Sequence, residues 1–343
     1  MLHKISFCTV AMNRLSHLKK TLPKNIKDNS NYKNLEFIVL DYNSKDGLYI
    51  WIRNNLYNYI ENGTLKYFRT EQPIYFDRSH SRNVAFKLAT GKVVCNVDAD
   101  NFTGEGFAEY VNEAFCKEKG IVITGSEPSY TRTKSVVGRV CVYREHFDRI
   151  KGFDENMKNY GWEDVDFVNR LINLGLKPVY IQADKYLNAI EHDDFMRFKN
   201  ESFSNNIQDI YICYLTPIFS KILVLLKQKK FILSNLDFSK DGAKLARSET
   251  KGTWKVVKQT LILYNENTTL FRLDIKDDKN LEFKQVLYHL ITDLKFLTSL
   301  KLQLPIMWNK FISDRNSDIT IANLKGYGEA VVYKNFSETG QHT

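Results

Sequence analysis

Over its first two hundred positions the chain alternates short apolar, β-branched runs with stretches whose apolar residues recur at helical spacing. Residues 5–11 (I-S-F-C-T-V-A) and 35–40 (L-E-F-I-V-L) predict buried strands, followed by 65–68, 93–97, 120–125, 138–143 and 178–181. Helices are predicted after the Asn13-Arg14 turn, over 79–88, where Ala89-Thr90-Gly91 stops the pattern, and over 163–174. Strands alternating with helices imply right-handed crossovers and a mostly parallel sheet covered on both faces. Ligands of such sheets bind beyond the carboxyl ends of the strands.

From about residue 205 the pattern changes. Residues 207–230 and 281–302 have helical spacing, 253–264 and 269–275 are strand-like, and 319–336 resembles a hairpin around Lys325-Gly326-Tyr327-Gly328. The expectation is an α/β domain over 1–204 and a mixed α+β accessory domain over 205–343. Residues 210–226 are almost wholly apolar and precede Lys227, Lys229 and Lys230, but Pro217 and Lys221 interrupt them. They fall short of the roughly 20 apolar residues a span needs, so the segment reads as a packed helix or as an interfacial membrane-docking helix.

Composition narrows the class. Charged residues at 26% and hydrophobic residues at 43% describe an ordinary soluble protein. The formal net charge of +9 favours anionic partners. No arginine-rich block or aromatic-basic RNA motif accompanies it, so no nucleic-acid partner is expected. The five cysteines are odd in number, scattered and without a C-x-x-C pair, which suits buried thiols in a reducing compartment. The opening M-L-H-K-I-S-F lacks an export signal. The expected location is cytoplasmic, with peripheral contact at the inner face of the membrane.

The strand at 93–97 ends in Asp98-Ala99-Asp100. Residues i and i+2 of an extended chain point the same way, so both carboxylates can face one point beyond the sheet edge. Hard oxygen ligands of this kind suit Mg²⁺ or Mn²⁺, whose remaining positions go to phosphates and water. A polar turn is the plainer reading of the same tripeptide. A second strand ends in Asp41, followed by Asn43, Ser44, Asp46 and Gly47, and His192 stands beside Glu191, Asp193 and Asp194 as a candidate imidazole ligand. Neither G-x-G-x-x-G nor a P-loop is present, so phosphates would need a metal and basic side chains in place of a glycine cradle. In 151–171, Tyr160, Gly161 and Trp162 offer a bend and an aromatic surface, and Glu163, Asp164 and Asp166 fill the first turn of a helix, where acids also suit the helix dipole.

Together, T-V-A-M-N-R (9–14), V-L-D-Y-N-S-K-D-G (39–47), S-R-N-V-A-F (81–86), N-V-D-A-D-N (96–101), G-F-D-E (152–155), G-W-E-D-V-D-F (161–167) and the downstream histidine resemble the GT-A fold glycosyltransferases of family 2. G-W-E-D-V-D-F also resembles the catalytic segment of galactosyltransferases and chondroitin-polymerase-like enzymes. The resemblance covers roughly residues 1–200. It implies that Thr9, Ala11, Asn13 and Arg14 line a nucleotide pocket, that Asp41 contacts the base or ribose, and that Arg82 approaches the diphosphate. It also implies that Asp98 lies nearer the ribose and contributes to the metal site, that Asp100 and His192 ligate Mn²⁺ or Mg²⁺, that Trp162 and Glu163 meet the acceptor, and that Asp164 is the catalytic base, with Asp166 structural. The implied reaction is an inverting, metal-dependent transfer of a Gal, GalNAc, Glc or GlcNAc unit from a UDP-sugar to a saccharide or lipid-linked saccharide, in making surface polysaccharide. Specificity would rest on loops such as 73–78 and 126–134. A nucleotidyltransferase, a non-catalytic saccharide- or nucleotide-binding protein and an anionic-membrane scaffold are the alternatives.

Overall fold

Every position of the strand Ile5–Ala11 (β1) is buried, which a parallel strand covered on both faces requires. After it come α1 (Leu15–Asp28), β2 (Leu35–Tyr42), α2 (Leu48–Asn55), α3 (Tyr57–Glu61), β3 (Leu65–Thr70), α4 (Arg78–Leu88), β4 (Val93–Asn96) and β5 (Asn101–Phe102). Next are α5 (Phe107–Lys117), β6 (Ile121–Thr124), β7 (Val140–Tyr143), α6 (Arg144–Arg149), α7 (Glu163–Asn173), β8 (Lys177–Tyr180) and β9 (Asn188–Ala189). This computed structural model describes residues 2–125, 136–239, 242–266 and 268–343. The 126–134 loop expected to tune specificity lies outside the described residues.

Two compact units divide the chain: Met1–Asp193 with Ile312–Thr343, and Asp194–Phe311. The division expected at 204/205 therefore differs from the one observed, because the last 32 residues, 312–343, return to the first unit. The first unit is α/β. Its nine-stranded sheet runs β19-β18-β3-β2-β1-β4-β7-β6-β8, where β18 (Val331–Lys334) and β19 (Gly340–His342) come from the returning segment. β3, β2, β1 and β4 are mutually parallel. Only β7 and β18 run against the common direction.

Alternation along the strands feeds two cores. Ile5 and Phe7 join Leu18, Leu22, Ile52, Phe107 and Phe115 on one face, and Cys8 and Val10 join Val84, Phe86, Phe147, Phe167 and Leu171 on the other. All five cysteines are free. The register places Ala11 beside Asp41 and Cys8 beside Asn96, so the loops after β1, β2 and β4 leave the sheet at one edge. The expected hairpin at 319–336 is replaced by β18 pairing with β3.

The second unit combines strands and helices, as expected, but residues 207–226 form strands where a helix at 207–230 was expected. After α8 (Phe195–Phe198) and α9 (Ser202–Asn206), eight strands close into a barrel: β10 (Ile207–Thr216), β11 (Phe219–Leu226), β12 (Lys230–Ser239), β13 (Gly242–Val257), β14 (Thr260–Asn265), β15 (Thr268–Ile275), β16 (Asn280–Phe283) and β17 (Val286–Leu290). The barrel shuts where β10 pairs with β17. Residues 281–302 begin as two strands, and a helix, α10 (Leu294–Arg315), starts only at Leu294. Both faces of β11 are apolar: Leu223 and Leu225 share a cluster contributed by strands all around the barrel, while Ile222 and Val224 pack with Leu300 and Leu304 of α10. A strand buried on both sides loses its alternation and reads as a continuous apolar run, which periodicity cannot distinguish from a helix. Pro217 in fact marks the β10–β11 turn. Among the described residues no helix is long and apolar enough to cross a membrane.

Candidate active site

At the carboxyl edge of the sheet the chain turns after β4 and lays β5 antiparallel against β9, pairing Asn101 with Ala189 and Phe102 with Asn188. Ile190 N–H extends this ladder to the Asp100 carbonyl, 2.8 Å away. Two residues beyond Ile190, His192 faces the acidic loop, with Nε2 at 2.8 Å from Asp100 Oδ2. His192 Nδ1 lies 3.1 Å from the Asp193 carbonyl, a bond that keeps a proton on Nδ1 and turns Nε2 toward the carboxylate. Burial pushes the Asp100 carboxyl up, but its bond to His192 outweighs burial and holds it below the ordinary range. The same bond raises His192. His17, on α1, meets the His192 ring edge-on at 5.7 Å.

Asp98 turns elsewhere. Its Oδ1 accepts from Arg82 Nη2 at 3.2 Å and from Asn96 Nδ2 at 2.9 Å. Among the described residues no group of three or more His, Cys, Asp or Glu side chains gathers where an ion could be held. The structure thus pairs Asp100 with His192 and assigns Asp98 to the arginine.

Arg82 is buried on α4 and joins two clusters. Its Nη1 donates to Glu163 Oε1 at 2.8 Å, at the first residue of α7. Desolvation opposes the charge of Arg82, yet Asp98, Glu163 and Asp164 more than restore it. Glu163 Oε2 is buried and takes no hydrogen bond from any described residue, an unmet acceptor of the kind found where a ligand belongs. Asp164, next along the helix, is half-buried. Burial and the neighbouring Glu163 raise its carboxyl to about 6, against the opposing pull of Arg82. Trp162 precedes α7 with a left-handed φ of 72°, a turn that brings both acids to the helix start.

Asp166 faces inward, as its offset of two residues from Asp164 on a helix requires. It accepts from Arg170 Nε at 2.7 Å and from Ser313 Oγ at 3.0 Å. The residues expected to line a nucleotide pocket occupy the neighbouring strand ends. Thr9 and Ala11 lie in β1. Asn13 stitches two loops together, its N–H donating to Ser44 Oγ at 3.0 Å and its Oδ1 accepting from Lys45 N–H at 2.7 Å. Arg14 stands at the start of α1. Asp41 is nearly sealed, and Tyr67 Oη at 2.6 Å and Ser44 N–H at 2.8 Å occupy its two oxygens. Its carboxylate therefore braces the loop from within. A cavity of about 370 Å³ beside Lys66, Lys87 and Lys334 involves none of these residues.

Three further residues shape the site without having been singled out by the sequence. Arg139, fully buried on the approach to β7, donates to Asn101 Oδ1 at 3.2 Å, to the Phe102 carbonyl at 3.0 Å and to the Tyr186 carbonyl, and so binds β5 to the segment leading into β9. Burial lowers its guanidinium to about 10. A lone arginine beside an apolar strand was the available signal. Asn96 Nδ2 donates to the Gly138 carbonyl at 2.8 Å. A Cβ at Gly138 would stand 2.6 Å from Asp98 Oδ2 and 3.0 Å from Arg82 Nη2, so only glycine leaves room for that pair.

Residues 120–193, a little over a fifth of the chain, match the family described as the N-terminal domain of galactosyltransferase. The match takes in Trp162, Glu163, Asp164 and His192. No curated protein matches. Among solved structures, a Pyrobaculum calidifontis mannosyltransferase, PcManGT, in complex with GDP-Man and Mn²⁺ is 17% identical over 53% of this chain and 55% of that one, with a TM-score of 0.44. S. aureus TarS is 17% identical over 52% and 58%, with a TM-score of 0.43. A Drosophila β1,4-galactosyltransferase 7 with manganese, UDP-Gal and xylobiose is 18% identical over 58% and 75%, with a TM-score of 0.40. The chain thus spans under two thirds of the first two structures.

Proposed function

We propose that the first unit is a glycosyltransferase of the GT-A type that moves a sugar, of the galactose or glucose series, from a UDP-sugar to a saccharide or lipid-linked saccharide hydroxyl with inversion, in surface polysaccharide assembly. One observation carries this reading: the buried Arg82 joins Asp98, at the end of β4, to Glu163, at the start of α7. Arg82 thereby links a group suited to the phosphate side to a group suited to the attacking hydroxyl. The family match over 120–193 supports the galactosyl direction.

The donor set fits a divalent cation. Asp100 Oδ2 and His192 Nε2 offer one oxygen and one nitrogen side by side, and a cation of the Mn²⁺ or Mg²⁺ kind takes its remaining positions from phosphate and water. Bound there, it would supply positive charge to the departing diphosphate. Arg82 adds its fixed cation to the same side and holds Glu163 in place. Glu163 Oε2 is available to an acceptor hydroxyl. Asp164, with a carboxyl near 6, is ionised at neutral pH and accepts the proton of that hydroxyl as its oxygen bonds to the anomeric carbon. The bond from that carbon to the phosphate oxygen breaks, and the nucleoside diphosphate leaves.

The released product tests the proposal. Incubating the protein with UDP-sugars, Mn²⁺ and a panel of saccharide acceptors should give UDP in step with glycosylated product. Release of pyrophosphate would indicate nucleotidyl transfer, and binding without turnover across the panel would indicate a binding protein.

A further inference from the structure

Antiparallel alternation gathers the turns after β11, β13 and β15 at one end of the barrel. Backbone bonds fasten them to their neighbours: Trp254 N–H donates to the Lys229 carbonyl at 2.7 Å and Ile275 N–H to the Gln259 carbonyl at 2.8 Å. Residues 227–230, 255–260 and 276–279 carry seven lysines against two aspartates. Glu282 pairs with Lys276 at 2.9 Å, and the other lysines leave this end net positive. At its tip, between Lys255 and Lys258, Val256 and Val257 are 49% and 45% exposed although both are apolar. The first turn is rigid as well as basic, because the Lys229 ammonium lies 3.8 Å over the ring of the buried Trp254, whose Nε1 donates to the Leu226 carbonyl at 3.3 Å.

We infer that this end of the barrel docks on a bilayer containing anionic lipids. The lysines match the headgroup charge, and the two valines supply the shallow apolar insertion that a purely electrostatic surface lacks. Nucleic acid is the poorer fit. The three turns contain no arginine fork and no open aromatic face for a base. The inference rests on the second unit alone and is independent of the transfer reaction.

Co-sedimentation of the full chain with sucrose-loaded phosphatidylcholine vesicles, with and without phosphatidylglycerol, is the test. The protein should partition onto the anionic vesicles in a salt-sensitive way and stay in solution with the neutral ones. Replacing Lys227→Gln, Lys230→Gln and Lys258→Gln together, which spares the Lys229–Trp254 stack, should weaken partitioning by roughly a hundredfold. Val256→Ser with Val257→Ser should weaken it by about tenfold and leave its salt dependence unchanged. Circular dichroism and the melting temperature should match the parent in both variants. Equal binding to neutral vesicles, or no binding to either kind, would overturn the inference. So would a serine variant that binds like the parent while heparin competes, which would assign the lysines to a soluble polyanion.

Discussion

Arg82 and Glu163, eighty-one positions apart, form a 2.8 Å ion pair in which both side chains are about one-twentieth exposed. Breaking a buried pair by removing one partner leaves an uncompensated charge and typically costs about 3–5 kcal/mol. Arg82→Met should lower unfolding stability by roughly 3 kcal/mol in urea titration. A midpoint equal to the parent's would show that the pair does not hold α4 to α7.

In the proposed reaction Asp164 takes the proton of the acceptor hydroxyl. Asp164→Asn should cut turnover by roughly 10²–10⁴-fold while leaving the thermal shift by UDP and Mn²⁺ in place. In the parent, turnover should fall as pH drops through about 6, where the carboxyl protonates. The stability effect has the opposite sense. A carboxyl raised from 3.8 favours the folded state most below 3.8 and loses that contribution as pH rises through about 6. The asparagine variant should therefore melt higher than the parent at pH 7 and show no gain below 3.8. Parental turnover in the variant would remove Asp164 from the mechanism.

Asp100→Ala should abolish the metal-dependent part of UDP binding, because it removes the oxygen beside His192 Nε2. The readout is the thermal shift given by UDP with Mn²⁺ compared with UDP alone. A shift in the variant equal to the parent's would contradict the assignment.

Glu36 offers a check far from the site. Burial pushes its carboxyl up, but Lys66 at 2.5 Å, Ser6 at 2.6 Å and two bonds from Thr90 outweigh burial and hold it at about 2. Its contribution is fully present above the unfolded value of 4.5 and is lost as pH falls toward about 2. Glu36→Gln should be the less stable protein at pH 7 by about 2–3 kcal/mol, with the two melting curves converging over that acid range. A constant difference would place the stabilisation in packing instead of charge.

The strand ends were legible in the sequence to within two residues, because a parallel strand buried on both faces must be largely apolar: β2 runs one residue past Asp41, to Tyr42, and β4 stops at Asn96, two residues before Asp98. The meeting of Asp100 with His192 was legible only through family likeness. It depends on β5 and β9, two residues each, too short to leave a periodic signal. The i, i+2 rule that sets Asp98 beside Asp100 holds for an extended chain, and the strand ends at Asn96, before either aspartate. The barrel was missed for a different reason: apolar cover on both sides of β11 removed the alternation by which a strand is recognised.

The sheet of the first unit is completed by β18 and β19, which follow the whole barrel in the chain, with β18 lying antiparallel on the outer side of β3. On the ribosome, β3 must wait with a bare edge while the intervening segment is made. At roughly 5–20 residues per second that interval is on the order of 10 s or more. Newly made chains carrying β3 without β18 are thus the species most exposed to pairing with one another, and the ones on which a chaperone would be expected to act.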